Sequence, residues 1–254
     1  MNTTTSPLKE EIIERWNESS KTYDSCTGHG IHTEDERELW KQYISSVLPS
    51  KGLQVLDVGC GTGQISILMG EMGHTVTGLD LSPGMMEKAK ERAKEKNLDI
   101  EFQYGDAENP PFEPGSFDLI IERHLLWTLP HPKEALSRWQ TLLAPDGGVM
   151  LIEGLWNDGS CATRIRRGFS AWCERVMTGA GATHKEYSES LKNALPFQGG
   201  LTADQATAAL KEGGFSDVVI TDLTPIRKNQ MSRMPWYKRL NYNWSYFLAY
   251  GRKR

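Results

Sequence analysis

The sequence lacks any apolar run approaching the ~18 residues that a membrane-spanning helix needs. Met1 to Glu11 is polar and then acidic, without the apolar core of a secretory leader. Cysteine is scarce. Cys26, Cys60, Cys161 and Cys173 form no CxxC pair and no Cys/His spacing of a zinc site, so reduced thiols in a cytoplasmic protein are the expected state. There is no internal repeat and no low-complexity tract, and a content of 38% hydrophobic and 24% charged residues excludes wholesale disorder. The 254 residues suffice for one large domain, or one domain with a small lid, with no need of disulfides or a structural metal.

Acidic residues are absent from Leu223 to Arg254, which holds eight basic ones. Residues 1–154 carry 14 Lys+Arg against 25 Asp+Glu, whereas residues 155–254 carry 15 against 8. The formal net charge of -4 therefore averages an acidic part and a basic part. Such asymmetry marks either a nucleic-acid or anion surface or two solvated faces of one domain, and composition leaves both open.

Residues 8–24 have a helical pattern, with Leu8, Ile12, Ile13 and Trp16 on one face after Pro7. A loop from Ser25 to Gly30 and a second helix from Glu34 to Leu48 follow. The period then changes. Short apolar strands are predicted at 54–58, 75–79, 100–104, 117–121 and 149–153, separated by helices at 64–72, 85–96 and 133–143, with a turn at Pro145-Asp146-Gly147-Gly148. Alternation of this kind specifies an α/β domain with a mostly parallel sheet. It lapses over 155–200, where one helix from Arg164 to Met177 precedes Gly179-Ala180-Gly181. It resumes with a helix at 202–212, a strand at 217–221, a basic loop and a last strand at 244–250. The irregular segment and the N-terminal helices are placed to form a lid over the carboxyl ends of the strands, where open α/β sheets bind ligands.

The chemistry concentrates in Val55-Leu56-Asp57-Val58-Gly59-Cys60-Gly61-Thr62-Gly63, a strand running through a glycine turn into a helix. Glycine admits backbone angles other residues resist and lets a ligand approach the main chain, while the helix start presents unpaired N–H groups. The spacing is neither the dinucleotide fingerprint nor the phosphate loop. Asp80 ends the second strand, where a carboxylate can accept from ribose hydroxyls. Gly105-Asp106-Ala107-Glu108 follows the third strand, and Glu122-Arg123-His124 follows the fourth.

On these four motifs the sequence resembles the class I S-adenosylmethionine-dependent methyltransferases over about residues 52–154, especially the small-molecule branch that includes the ubiquinone and menaquinone C-methyltransferases. The resemblance implies a Rossmann-like, seven-stranded, mostly parallel sheet flanked by helices, with the last strand antiparallel. It implies one methyltransferase domain over 1–254, with core 49–154 and 201–254 and lid elements 1–48 and 155–200. The implied cofactor is S-adenosyl-L-methionine, leaving as S-adenosyl-L-homocysteine. Asp57 and the backbone of Gly59, Gly61 and Gly63 would hold its methionine part. Asp80 would take the ribose, with Leu81 and Met85 beside the adenine. Asp106 and Ala107 would meet the adenine edge. Arg123, just past the fourth strand, would line the methionine end through its backbone, and Tyr23 would close over the cofactor.

Methyl transfer from a sulfonium is an in-line displacement, so alignment and exclusion of water are the protein's main tasks. A base is needed only where the acceptor must lose a proton. His124 is the candidate base, against a packing role. His29 and His32 lie in the loop after Tyr23, and Trp127 and Trp156 fall on the ligand edge, so these four are candidate acceptor contacts, with solvated and core roles as the alternatives. Trp172, Trp236 and Trp244 are read as packing residues. His29 and His32 lack a matching carboxylate set, so no metal is expected. Arg164, Arg166, Arg167, Arg227, Lys228, Arg233, Lys238 and Arg239 are candidates to hold a carboxylate or phosphate of the acceptor. The expected function is methylation of a small-molecule N, O, C or S atom in the cytoplasm. An RNA or protein methyltransferase and a non-catalytic cofactor-binding module are the competing readings, and no membrane or nucleic-acid partner is expected.

Overall fold

The computed structural model describes residues 6–25, 28–48, 52–179, 187–242 and 244–254, so Cys26 and part of the predicted Gly179-Ala180-Gly181 break lie outside the described residues. Seven strands form one sheet: β1 (Gln54–Val58), β2 (Thr75–Asp80), β3 (Glu101–Tyr104), β4 (Phe117–Arg123), β5 (Leu143–Gly154), β6 (Phe215–Asp222) and β7 (Tyr246–Lys253). Their order is β3-β2-β1-β4-β5-β7-β6, with β7 antiparallel to both neighbours and the other described pairings parallel. The connections reverse direction between β1 and β4, which opens a crevice at the carboxyl ends of those two strands.

Ten helices accompany the sheet in the described residues: α1 (Pro7–Ser19), α2 (Glu34–Ser45), α3 (Gln64–Glu71), α4 (Pro83–Glu95), α5 (Pro132–Leu142), α6 (Cys161–Thr178), α7 (Glu189–Ala194), α8 (Ala203–Glu212), α9 (Thr224–Ser232) and α10 (Trp236–Arg239). Successive strand residues face opposite ways. Leu56 and Val58 of β1 therefore join Trp139 of α5 and Leu210 of α8 on one face, while Val55 joins Trp40 and Ile44 of α2, Leu68 of α3 and Ile226 of α9 on the other. Both sides of the sheet are covered, as its nearly continuous apolar strands require.

The lid differs from the expected one. Helix α2, placed by the sequence among the lid elements, packs flat on the sheet because Trp40 and Ile44, one turn apart, are fully buried. Burial of the Ile44 side chain alone contributes roughly 1.5–3 kcal/mol. Of the predicted lid segments, α1 and α7 share a small core of Leu8, Ile12, Trp16, Leu191 and Leu195, and are tied by Ser188, whose backbone N–H and hydroxyl donate to Glu11 at 2.6 Å each. Helix α1 sits over the start of α4, where Asn17 Oδ1 accepts from Ser82 Oγ at 2.7 Å and from Gly84 N at 3.0 Å.

Several boundaries also move. The first helix stops at Ser19 rather than running to residue 24, and Tyr23–Ser25 forms a separate 3-10 turn. The Ser20 hydroxyl donates to Asn17 O, competing with helix continuation. Strand β4 runs on to Arg123, so Arg123 closes the strand instead of following it. The predicted turn at 145–148 is an irregular start of β5, with Asp146 at φ 64° and a register shift opposite Phe117 and Leu119. The expected basic loop after β6 contains α9 and α10. Asp222 Oδ1 accepts from Thr224 N and Oγ1, and Pro225 fits the first turn of α9. The last strand begins at Tyr246, leaving Trp244 in the loop before it.

Candidate active site

Strand β1 delivers the glycine turn to the crevice. Gly59, Gly61 and Gly63 all have positive φ, at 65°, 54° and 76°. They do different things. A Cβ at Gly59 would meet Leu125 at 2.6 Å and one at Gly63 would meet Ala89 at 3.0 Å, so both permit close packing. A Cβ at Gly61 would meet nothing within 4 Å, because Gly61 faces open space in the cavity above the turn. The Gly61 N–H donates to Asp80 Oδ2 and the Ser82 N–H to Oδ1, each at 2.8 Å, which fixes the carboxylate plane. Each oxygen keeps further acceptor capacity for a hydroxyl. Burial holds the Asp80 carboxyl above its usual range.

Around this cradle closes a first cavity, lined by Tyr23, Gly59, Gly61, Asp80, Leu81, Met85, Asp106, Ala107, Arg123 and His124 together with α1 residues Lys9, Ile12, Ile13 and Trp16. Ten sequence-selected positions thus converge on one chamber. Asp57 and Gly63 do not line it. Asp57 is buried beneath the turn, bonded by the Ser66 hydroxyl, and burial pushes its carboxyl up to about 7 against the pull of Ser66 and Arg123. Its place is that of a brace for the turn. Asp106 accepts from the Lys9 ammonium, which also pairs with Glu108 at 2.6 Å, so α1 is fastened to the far end of the chamber.

Tyr23 is held by its neighbour. Asp24 accepts from Thr62 Oγ1 at 2.6 Å, Gln64 Nε2 at 3.2 Å and Arg92 Nη2 at 2.8 Å, and Arg92 keeps the Asp24 carboxyl below its ordinary value despite burial. The 3-10 turn is thereby clamped to the glycine turn, with the Tyr23 ring stacked on His29 at 4.3 Å between centroids. Arg123 reaches the same loop, donating from Nη2 to His29 O at 2.6 Å, while its buried Nη1 has no partner among the described residues.

A second cavity of about 320 Å³ adjoins the first. It is lined by Arg15, Trp16, Ser19, Tyr23, Gly28, His29, His124, Trp127, Trp156, Arg167, Arg227, Asn241, Tyr242 and Trp244. Among the described residues no carboxylate lines it. Trp16, Trp127, Trp156 and Trp244 form a continuous edge-to-face wall, with successive centroids 6.4, 5.1 and 5.9 Å apart. Of the sequence candidates, His29, Trp127 and Trp156 line this wall, whereas His32 is exposed and lines neither cavity. Trp244, read as packing, is a wall residue, and Trp172 and Trp236, read the same way, are 60% and 58% exposed. Lys9, Trp16, Arg15 and Trp244 are lining residues that sequence reasoning missed. The apolar face of α1, legible as a face, was the available signal for Trp16.

His124 belongs to both cavities and has φ 59°, a left-handed conformation that a non-glycine residue adopts at a cost. Its ring stacks on Tyr246 at 5.4 Å, and Nδ1 lies 3.5 Å from Glu153 Oε2. Burial, reinforced by the nearby charges of Arg123, Arg227 and His29, holds the imidazole well below its usual pKa. Beneath it Glu122 and Glu153 are both fully buried, and Glu122 is pushed up to about 8 and Glu153 well above its ordinary range by that burial. Glu122 accepts from Leu125 N at 2.7 Å and Glu153 from Leu126 N at 3.1 Å, so the pair pins the residues that follow His124.

Residues 55–147 match the family described as a methyltransferase domain. The chain is 30% identical over 159 residues to the aklanonic acid methyltransferase DauC of Streptomyces sp. (strain C5), a match spanning 61% of this chain and 70% of that protein. It is 35% identical over 136 residues to a ubiquinone biosynthesis O-methyltransferase of Coxiella burnetii, spanning 54% of this chain and 53% of that one, about half its length. A crystal structure of the geranyl diphosphate C-methyltransferase from Streptomyces coelicolor A3(2) overlays with a TM-score of 0.65 at 15% identity, covering 98% and 99% of the two chains, which is a likeness of fold. The chain belongs to the S-adenosylmethionine-dependent methyltransferases of class I. The open cradle at Gly61, the fixed Asp80 carboxylate and Arg123 Nη1, without a hydrogen-bond partner among the described residues, are donors and acceptors suited to that cofactor's ribose and charged methionine end.

Proposed function

We propose that this enzyme methylates a flat, anionic small molecule held in the second cavity, at a nitrogen or oxygen in preference to carbon or sulfur. The observation that carries the reading is the sharing of Trp16, Tyr23 and His124 by the two chambers. A donor in the first and an acceptor in the second would meet at these three side chains. When bound, S-adenosylmethionine supplies an activated methyl on a sulfonium, so alignment dominates the catalytic task. Asp80 and the Gly61 main chain would hold the ribose side, Asp106 and Ala107 the adenine edge, and Arg123 the methionine carboxylate. The tryptophan wall presents ring faces and edges to a planar acceptor, and Arg167 and Arg227, in a cavity that no carboxylate lines among the described residues, favour a negative group on it. The neutral His124 imidazole is in the protonation state that can receive a proton from an acceptor O–H or N–H. Because the same burial makes it a weak base, it suits an acidic proton such as a phenol's. A walled cavity of about 320 Å³ fits a small molecule better than an RNA strand or a protein segment. The free thiols of Cys60, Cys161 and Cys173 fit a cytoplasmic setting, which is part of this proposal. Among the described residues no helix is long and apolar enough to cross a membrane.

The test is a panel of acceptors with methyl-labelled cofactor, comparing hydroxybenzoates, catechols, aromatic amines and thiols. Label transfer to planar acids bearing O–H or N–H is expected. Exclusive transfer to RNA or protein would overturn the reading.

A further inference from the structure

We infer that Arg227 is an oxyanion-binding residue of the acceptor cavity, and that the acceptor carries its carboxylate or phosphate about one aromatic ring away from the atom that is methylated. This rests on the two-chamber reading above.

Arg227 projects from α9 into the second cavity and is only 4% exposed. A buried cation costs several kcal/mol unless it is paired. Among the described residues no carboxylate forms an ion pair with it. Nη1 donates to Gln230 Oε1 at 3.1 Å, and Nε is buried without a hydrogen-bond partner among the described residues. The nearest carboxylate behind it is already taken. Glu36, fully buried, accepts from Arg233 and from Gln230 Nε2, so Gln230 passes only a neutral contact forward to Arg227.

Besides the Gln230 contact and the attraction of Glu36, the compensation comes from ring faces. The guanidinium carbon lies 3.8 Å from the Trp244 centroid, 4.4 Å from Tyr246 and 5.1 Å from Tyr242. Rings stabilise the charge through the flat faces of the guanidinium. They do not satisfy N–H donors, which lie in its plane. A planar oxyanion entering the cavity supplies the missing acceptors in the geometry that a guanidinium fork prefers. Only glycine suits the loop beside it: Gly28 has φ 98°, and a Cβ there would crowd the Tyr242 ring at 3.0 Å and Arg227 Nη1 at 3.2 Å.

The spacing follows from Tyr246, against which both Arg227 and His124 pack. The guanidinium carbon is 4.4 Å from its centroid and the imidazole centroid is 5.4 Å from it, so the two groups lie within about 10 Å of each other. An acceptor anchored at Arg227 therefore brings its opposite edge to His124, where the cavities meet. Arg167 of α6 lines the same chamber and adds positive potential at its rim.

The experiment titrates the full chain, saturated with S-adenosylhomocysteine, with benzoate, benzamide, phenyl phosphate and inorganic phosphate, following tryptophan fluorescence. Benzoate or phenyl phosphate is expected to bind saturably and at least about tenfold more tightly than benzamide. Preference between the two anions identifies a carboxylate or a phosphate ester as the acceptor's group. Arg227→Met should weaken anion binding by about tenfold or more, and Arg227→Lys by less, with S-adenosylhomocysteine affinity by calorimetry unchanged in both. Equal binding of benzoate and benzamide by the wild-type protein overturns the inference whether or not the variants fold. So does wild-type anion affinity in Arg227→Met. A wild-type protein that fails to bind S-adenosylhomocysteine would count against the two-chamber reading instead.

Discussion

The two chambers of this enzyme are made of different materials. The chamber proposed for the cofactor sets the Gly61 turn and the acidic side chains of Asp80, Asp106 and Glu108, at the carboxyl ends of β1, β2 and β3, against apolar side chains such as Ile12, Ile13 and Met85. The chamber proposed for the acceptor is lined mainly by long side chains from α1, α6, α9 and the loops around them: arginines and aromatic rings, with no lining carboxylate among the described residues. The first lies over the sheet's switch point, where the fold itself provides exposed N–H groups and a crevice. The second depends on segments far apart in sequence. On the proposed function, the charge division near residue 154 corresponds to a division of labour: the acidic part would carry the cofactor's hydrogen-bond acceptors, and the basic part would supply Arg167 and Arg227 to the acceptor side.

The sharpest way to break this comparison is at His124, one of the three residues the chambers share. His124→Ala is expected to lower kcat by roughly 10²–10⁴ while leaving S-adenosylhomocysteine affinity within about threefold. In the wild type, the acid limb of kcat/KM should fall below the ordinary imidazole value of 6.5, because the pKa is depressed and the neutral base persists to lower pH. Unchanged turnover would remove His124 from the chemistry, and an acid limb at or above that value would remove the buried, neutral imidazole.

A change in the glycine turn should act on the other side alone. Gly61→Val puts a β-branched residue at φ 54° and fills the open space of the cradle, so cofactor affinity should fall about 100-fold. Calorimetry with S-adenosylhomocysteine measures it, and an unaltered Kd would show that the first cavity is not the cofactor's. Trp156→Ala is the matching probe of the wall. Loss of a ring that packs on both Trp127 and Trp244 should raise acceptor KM by about 10–30-fold, with cofactor binding unchanged. A shift in cofactor affinity of the same size would erase the distinction between the chambers.

The same distinction explains what could be read in advance. The strands, the glycine turn and Asp80 are local features, since period, turn chemistry and position at a strand end lie within a few residues of one another. Their assembly into one chamber follows from the parallel topology. Asp57 was legible as part of the motif but not as a brace, because its partner Ser66 is defined only once α3 packs on β1. Trp244 and Arg227 were ambiguous for a different reason. A tryptophan before a strand and an arginine in a basic stretch have many placements, and only the packing of α9 against the sheet turns Arg227 inward. Helix α6 shows the limit from the other direction. Its Ile165, Phe169, Trp172 and Val176 recur at helical spacing like a core face, yet all are exposed, and the buried side holds Thr163, Ser170 and Cys173.

The smallest expected effect concerns the floor beneath the junction. Glu122 is fully buried, with Oε2 accepting from Leu125 N and Oε1 unpartnered among the described residues. Its carboxyl is pushed from an ordinary value of 4.5 to about 8. Between those values the unfolded chain has released this proton and the folded protein retains it. The folded state therefore binds more protons, and stability must fall as pH rises through that window. Glu122→Gln keeps an oxygen for the Leu125 N–H and removes the titration. The variant should gain about 1–2 kcal/mol relative to wild type on going from pH 5 to pH 8, about 2–8 °C in Tm. Circular dichroism melts at the two pH values measure this difference. A stability gap that does not change between them would mean that Glu122 is ionised in the folded protein, and the floor under His124 would then be a negative charge rather than a neutral acid. In that case the imidazole above it would be held closer to its ordinary pKa, and the base at the meeting point of the two chambers would be a stronger one than burial alone allows.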